Sequence, residues 1–209
     1  MQAKKVKIYT LIILIVIGVL TCIHPIYPRE QFLQHLGTIL LLVILWLDIK
    51  QNRLSLFSFI CVSLFILIHV IGARYIYSTV PYDAWIKRIT GISINGFFGF
   101  TRNHYDRFVH FSFGLLALPY LVEIIGSKRI TSFLFRILVA WACVQTISML
   151  YELFEWFLTL VLTTEAATDY NGQQGDMWDA QKDMALAMLG STIMALYFIL
   201  RKDRYNRLG

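Results

Sequence analysis

Leu54-Ser55-Leu56-Phe57-Ser58-Phe59-Ile60-Cys61-Val62-Ser63-Leu64-Phe65-Ile66-Leu67-Ile68-His69-Val70-Ile71-Gly72 contains no acid and no Lys or Arg. As a helix it would reach about 28 Å, close to the thickness of bilayer hydrocarbon. It lacks the apolar–polar alternation of a barrel strand, so it reads as a membrane-crossing helix. Working outward, five further runs qualify, giving candidate spans at approximately 8–23, 32–47, 54–72, 108–125, 137–162 and 184–200. The first two are short for a crossing and are expected to extend into their flanks. The expected fold is all-α: a six-helix transmembrane bundle forming one integral membrane domain over 1–209, with one long outer-side loop between helices 3 and 4.

Composition agrees: 57% of residues are hydrophobic, 15% are charged and mean hydropathy is +0.62, outside the soluble range. With the N-terminus inside, twelve Lys and Arg fall on the inner side and seven on the outer. That bias predicts cytoplasmic termini and an outer loop at 169–174. The net charge of +6 then belongs to topology and to contact with anionic membrane lipids; no basic stripe suggests a nucleic-acid partner. Cys22, Cys61 and Cys143 are scattered and form no CxxC or disulfide framework. Lys4-Lys5-Val6-Lys7 resembles the start of a signal peptide, yet no small-x-small cleavage site follows, so an uncleaved first helix is expected.

The long outer connection runs from Ala73 to Tyr105. Within it, Tyr82 to Ile89 is amphipathic at helical spacing and suits a helix in the headgroup layer. Gly91 to Phe100 mixes glycine with apolar side chains, and either dips toward the membrane or caps the bundle. Tyr27, Tyr75, Tyr77, Trp85, Tyr105 and Trp178 fall at the outer boundary as an aromatic belt. Gly114 and Gly190 are expected to let helices approach closely.

Polar residues collect at one depth. Helix 4 carries Asp106 at its outer end and His110 one turn deeper; helix 5 carries Glu152 and Glu155. Asp176, Asp179 and Asp183 form a stripe descending helix 6. Each member has a structural reading too. Asp176 can cap its helix, Asp179 can complement the helix dipole, and Asp106 can pair with Arg102 or Arg107. Glu152 and Glu155 lie well inside a span, where an acid costs about 2.5–3.5 kcal/mol on insertion scales. They must face the bundle interior, find a cation or take up protons. Asp106, His110, Glu152, Glu155, Asp176, Asp179 and Asp183 together make a mostly oxygen ligand set. Such a set suits a divalent metal ion: Mg²⁺, Mn²⁺ or Ca²⁺, or Zn²⁺ if imidazole dominates. Glu152, Glu155 and His110 are the candidate catalytic acid/base groups. His24, His35 and His69 map to the same side but read as packing residues.

The blocks Asp106-Arg107-Phe108-Val109-His110-Phe111, Tyr151-Glu152-Leu153-Phe154-Glu155-Trp156 and Gly175-Asp176-Met177-Trp178-Asp179-Ala180-Gln181-Lys182-Asp183-Met184 resemble the uncharacterised YjdF-type inner-membrane family of bacteria. The second half is more loosely similar to VanZ-like membrane proteins, in which an Asp-Lys-x-x-His-Phe start precedes a Glu helix and a late Asp-x-x-x-Asn. Asp106, His110 and Glu152 match the first two elements; Asp183 stands where that pattern has Asn. The VanZ-like resemblance implies a link to the cell envelope, and neither family implies a reaction. Taken with what these resemblances imply, the residues lead to an expected inner-membrane protein with an outward-facing acidic pocket, performing metal-dependent hydrolysis or transfer on an envelope lipid headgroup or a lipid-linked amphiphile. Two other classes use the same residues: a proton- or cation-coupled transporter, and a non-catalytic scaffold whose polar network fixes helix packing.

Overall fold

The computed structural model of the protein describes residues 2–126, 132–161 and 173–201. Every regular element among these is a helix: α1 (Gln2–Thr21), α2 (Pro28–Gln51), α3 (Leu56–Tyr75), α4 (Tyr82–Thr90), α5 (Ile94–Phe98), α6 (Tyr105–Gly126), α7 (Phe133–Val161) and α8 (Asp179–Leu200). Five of them, α2, α3, α6, α7 and α8, are long and apolar enough to cross a membrane. The 20-residue α1 has the length but carries Lys4, Lys5 and Lys7 in its first two turns. Leu162, the last residue of the fifth expected span, and the outer loop as far as Gly172 lie outside the described residues.

The helices overrun the apolar stretches because their ends supply their own polar partners. α2 starts with Pro28, whose missing N–H costs nothing in a first turn, and Glu30 complements the positive end of the helix. α3 is capped by the Ser55 hydroxyl, which accepts from the Ser58 N–H. Ser55 in turn donates its backbone N–H (2.7 Å) and hydroxyl (2.6 Å) to Glu123 of α6, so the cap also ties two helices together.

Two three-helix groups share the α3–α6 contact. In the first, Leu11 and Leu14 of α1, Leu45 of α2, and Phe59, Val62, Ile66 and Val70 of α3 form the core. In the second, Leu118 and Val122 of α6 meet Ile137, Ala140 and Val144 of α7 and Met194, Ala195 and Phe198 of α8. Outward faces remain apolar: Ile12, Ile13 and Val16 of α1 and Leu150, Phe154 and Phe157 of α7 are exposed. A continuous exposed apolar surface of this kind is the lipid-facing belt of a membrane protein.

α6 and α8 are the most closely packed pair, and two glycines make this possible. A Cβ on Gly114 would overlap the Ala187 carbonyl, and one on Gly190 would overlap the Phe111 carbonyl. With no side chain at either point the two backbones meet directly. The expectation for these glycines holds.

The connection between α3 and α6 is folded and not a plain loop. α4 forms where the amphipathic stretch was expected, and α5 follows it. The Asp83 carboxylate joins the two by accepting from the Ser93 hydroxyl (2.9 Å) and the Asn95 N–H (2.9 Å). Those bonds hold its carboxyl below the usual range. Phe97 and Phe98 are exposed, so this stretch does not enter the bundle interior.

At the end of the first group that carries the N-terminus, Lys7 is buried, with 1% of its surface exposed. Its ammonium donates to Asp48 (2.7 Å) and to the Leu54 carbonyl (2.6 Å). Asp48 also accepts the backbone N–H of Arg53 (3.0 Å) and of Leu54 (2.8 Å). This pair locks α1 against the α2–α3 turn.

Candidate functional site

The α6–α8 approach places Asp106 and His110 of α6 opposite Asp179 and Asp183 of α8, while α7 brings Glu152 and Glu155 to the same region. Ligand-type atoms of Asp106, His110 and Asp183 all lie within 4.8 Å of one another. His110 Nε2 stands 3.4 Å from Glu152 Oε1 and 3.7 Å from Asp106 Oδ1. These four residues and Glu155 are all buried, Asp183 to 2% exposure. Asp183 Oδ1 and Glu152 Oε1 are buried oxygens with no hydrogen-bond partner; the His110–Glu152 approach is a charge contact without hydrogen-bond geometry. Tyr151 hydrogen-bonds Glu155 one turn along α7.

A layer of ion pairs lies above this chamber. Arg102 meets Asp179 at 2.7 Å and Asp176 at 3.4 Å. Arg107 pairs with Asp176 and lies 3.4 Å from Asp179, and Lys182 reaches Asp176 at 2.6 Å. Lys182, the Trp178 N–H and Arg107 hold the Asp176 carboxyl well below the usual carboxylate range. The seven expected ligands therefore divide. Asp106, His110 and Asp183 converge, with Glu152 in contact. Asp176 and Asp179 are committed to arginine and lysine, and Glu155 flanks the chamber. Arg102 and Arg107 spend their charge on Asp176 and Asp179, where the sequence had suggested Asp106. His35 and His69 belong elsewhere: His35 contacts Gln31 (3.1 Å), and His69 contacts Tyr77 and the Gln34 carbonyl (3.1 Å).

A cavity of about 290 Å³ adjoins the chamber between α7 and α8. Glu152, Glu155 and Asp179 form its polar side; Met149, Trp156 and Met184 are among its apolar walls. Sequence reading missed Ser148, a buried hydroxyl without a partner. Its signal was available, since it lies four residues before Glu152 and hence one turn away on the same face.

With the fold and these positions in view, comparison with known proteins is decisive at the level of family. The family described as "Predicted membrane protein (DUF2238)" matches residues 6–204. The chain belongs to this family. Within the DUF2238 frame, the chain is 30% identical over 155 residues to inner membrane protein YjdF of Escherichia coli (strain K12), covering 71% of this chain and 67% of that one. This supports the YjdF-type resemblance and lends nothing to the VanZ-like one. No solved structure gives a significant match. The protein is thus a multi-pass membrane protein, and every buried acid among the described residues except Asp48 lies on α6, α7 or α8.

Proposed function

We propose that the protein crosses the inner membrane six times, with both termini in the cytoplasm, and that the chamber opens outward and holds a divalent cation. The bound cation would serve hydrolysis or group transfer on the polar headgroup of an envelope lipid or lipid-linked amphiphile. One observation carries this reading: Asp183 Oδ1 is buried and unpartnered in the same cluster as the Asp106 and His110 ligand atoms. A buried carboxylate oxygen without a donor is costly, and a cation at this point removes that cost. Two carboxylates and one imidazole fit Mn²⁺, Mg²⁺ or Zn²⁺. Asp106, His110 and Asp183 would hold the ion, which would polarise a phosphoryl or carbonyl oxygen. Glu152 would accept a proton from water, and Glu155 would return one to a leaving group. The apolar wall of Met149, Trp156 and Met184 suits the adjoining chain of an amphiphile.

Elemental analysis of purified protein tests this directly. Near-stoichiometric metal is expected in the wild type and loss of it in Asp183→Asn, with thermal stability in detergent retained or raised. Stability should survive because Asn keeps the shape and lowers the desolvation cost. Metal-free wild type would sink the cation reading. It would favour a carboxylate–imidazole network that exchanges protons in transport. If Glu152→Gln and Asp183→Asn both also support full complementation of a deletion phenotype, the cluster is a packing scaffold.

Topology is checked separately. A cysteine introduced at Asn171, outside the described residues, into a cysteine-free background should react with an impermeant reagent in intact spheroplasts. Reaction only after lysis would reverse the orientation and close the chamber to the outside.

A further inference from the structure

A second concavity lies on the opposite flank of α8. Asp179, Ala180 and Met184 face the first cavity; Lys182, Ala185 and Leu186 face the second, across the helix. This groove has a volume of about 490 Å³ and is open along the side of the bundle. Phe108 and Phe111 of α6 form its other wall, and His104 and Arg107 stand with Lys182 at its mouth. The mouth lies where the candidate crossing helices α6 and α8 begin, the level expected for lipid headgroups, and the walls run along their first two turns. The His104 ring stacks on Phe100 with centroids 3.9 Å apart. Burial and the Arg107 and Arg102 charges push its imidazole below the ordinary value, leaving a neutral polar group there.

Two cations, Arg107 and Lys182, are among the residues that line the groove, and no acid is among them. Both reach the same carboxylate, Asp176. The Lys182 side chain is 48% exposed, so a second anion can reach it. Arg107 Nε is buried with no hydrogen-bond partner.

We propose that the α6–α8 groove is a binding site for an anionic phospholipid, its phosphate at Arg107, Lys182 and His104 and an acyl chain along Phe108, Phe111 and Leu186. Charge complementarity selects the headgroup, and the apolar walls select a lipid over free phosphate, which would leave them unused. The site stands apart from the acidic chamber and does not need a cation there.

The test uses purified full-length protein in a neutral detergent, with native mass spectrometry and thermal shift as readouts. Dioleoyl-phosphatidylglycerol is expected to bind and raise the melting temperature more than dioleoyl-phosphatidylcholine. Lys182→Gln should weaken phosphatidylglycerol retention about fivefold, the effect of one basic group near a charged lipid surface. Lys87→Gln on α4, away from the groove, should leave it unchanged. Ala185→Trp fills the groove without altering charge, and should displace both lipids even if Lys182→Gln folds poorly. Equal binding of the two lipids, an equal shift from inorganic phosphate alone, or normal retention by Ala185→Trp would each overturn the proposal.

Discussion

Gly190→Ala is expected to destabilise the protein by about 2 kcal/mol, although alanine is the better helix former. Exchanging a mid-helix glycine for alanine favours the helix by up to about 1 kcal/mol. At Gly190 the added carbon would overlap the Phe111 carbonyl and come within 2.8 Å of the Leu115 backbone nitrogen. These are backbone atoms and cannot swing aside, so α6 and α8 must separate. Overpacking of this kind costs about 3 kcal/mol at the upper end of its usual range, which outweighs the propensity gain. Gly114→Ala meets Ala187 in the same seam and should behave alike. The double variant should cost less than the two single losses added, because one separation relieves both overlaps. Gly18→Ala in α1 is the control: nothing lies within 4 Å of the new carbon, so only the propensity gain remains. Thermal midpoints in detergent should therefore fall for Gly114→Ala and Gly190→Ala and rise slightly for Gly18→Ala. A rise at Gly190 would mean that α6 and α8 do not touch there, and the convergence of Asp106, His110 and Asp183 would lose its basis.

That seam also explains which parts of the site could be read from the sequence. Helices were legible because apolar runs of near-membrane length admit one regular structure in lipid. Shared depth was legible too, since alternate helix direction fixes the level of each acid: Asp106, His110, Glu152 and Asp183 do converge. The stripe through Asp176 failed for a local reason. α8 begins at Asp179, after Gly175 at φ +82° and a turn in which Asp176 accepts the Trp178 N–H. Asp176 therefore precedes the helix and does not share its periodicity. Asp179 does lie on the face of Asp183, but Arg102 arrives from the preceding connection to occupy it. Sequence spacing places residues along a helix and says nothing of what a neighbouring segment brings. The same limit hid the groove, whose mouth combines His104 and Arg107 with Lys182 from a distant part of the chain.

Lys7 was legible as one positive charge among several near the N-terminus; its burial was not. Lys7→Met is expected to cost about 3–5 kcal/mol, the usual result of leaving one member of a buried ion pair behind. The stranded group would be Asp48, whose other oxygen still accepts the Arg53 and Leu54 amides, so the carboxylate cannot simply turn outward. Asp48→Asn in the Lys7→Met background should restore much of the loss. An amide carbonyl can still take those two N–H groups, and no uncompensated charge remains. Asp48→Asn alone should be milder than Lys7→Met alone, because the lysine keeps the Leu54 carbonyl (2.6 Å) and lies 5.4 Å from the Phe59 ring centre. Unfolding of all four proteins in one detergent gives the coupling energy by a double-mutant cycle. The outcome bears on topology as well as stability. A lysine neutralised by Asp48 no longer opposes insertion as a free charge, leaving the exposed Lys4 and Lys5 at one end and an apolar α1 beyond them. Additive single effects, with no recovery in the double variant, would separate Lys7 from Asp48 and remove that support for a first crossing by α1.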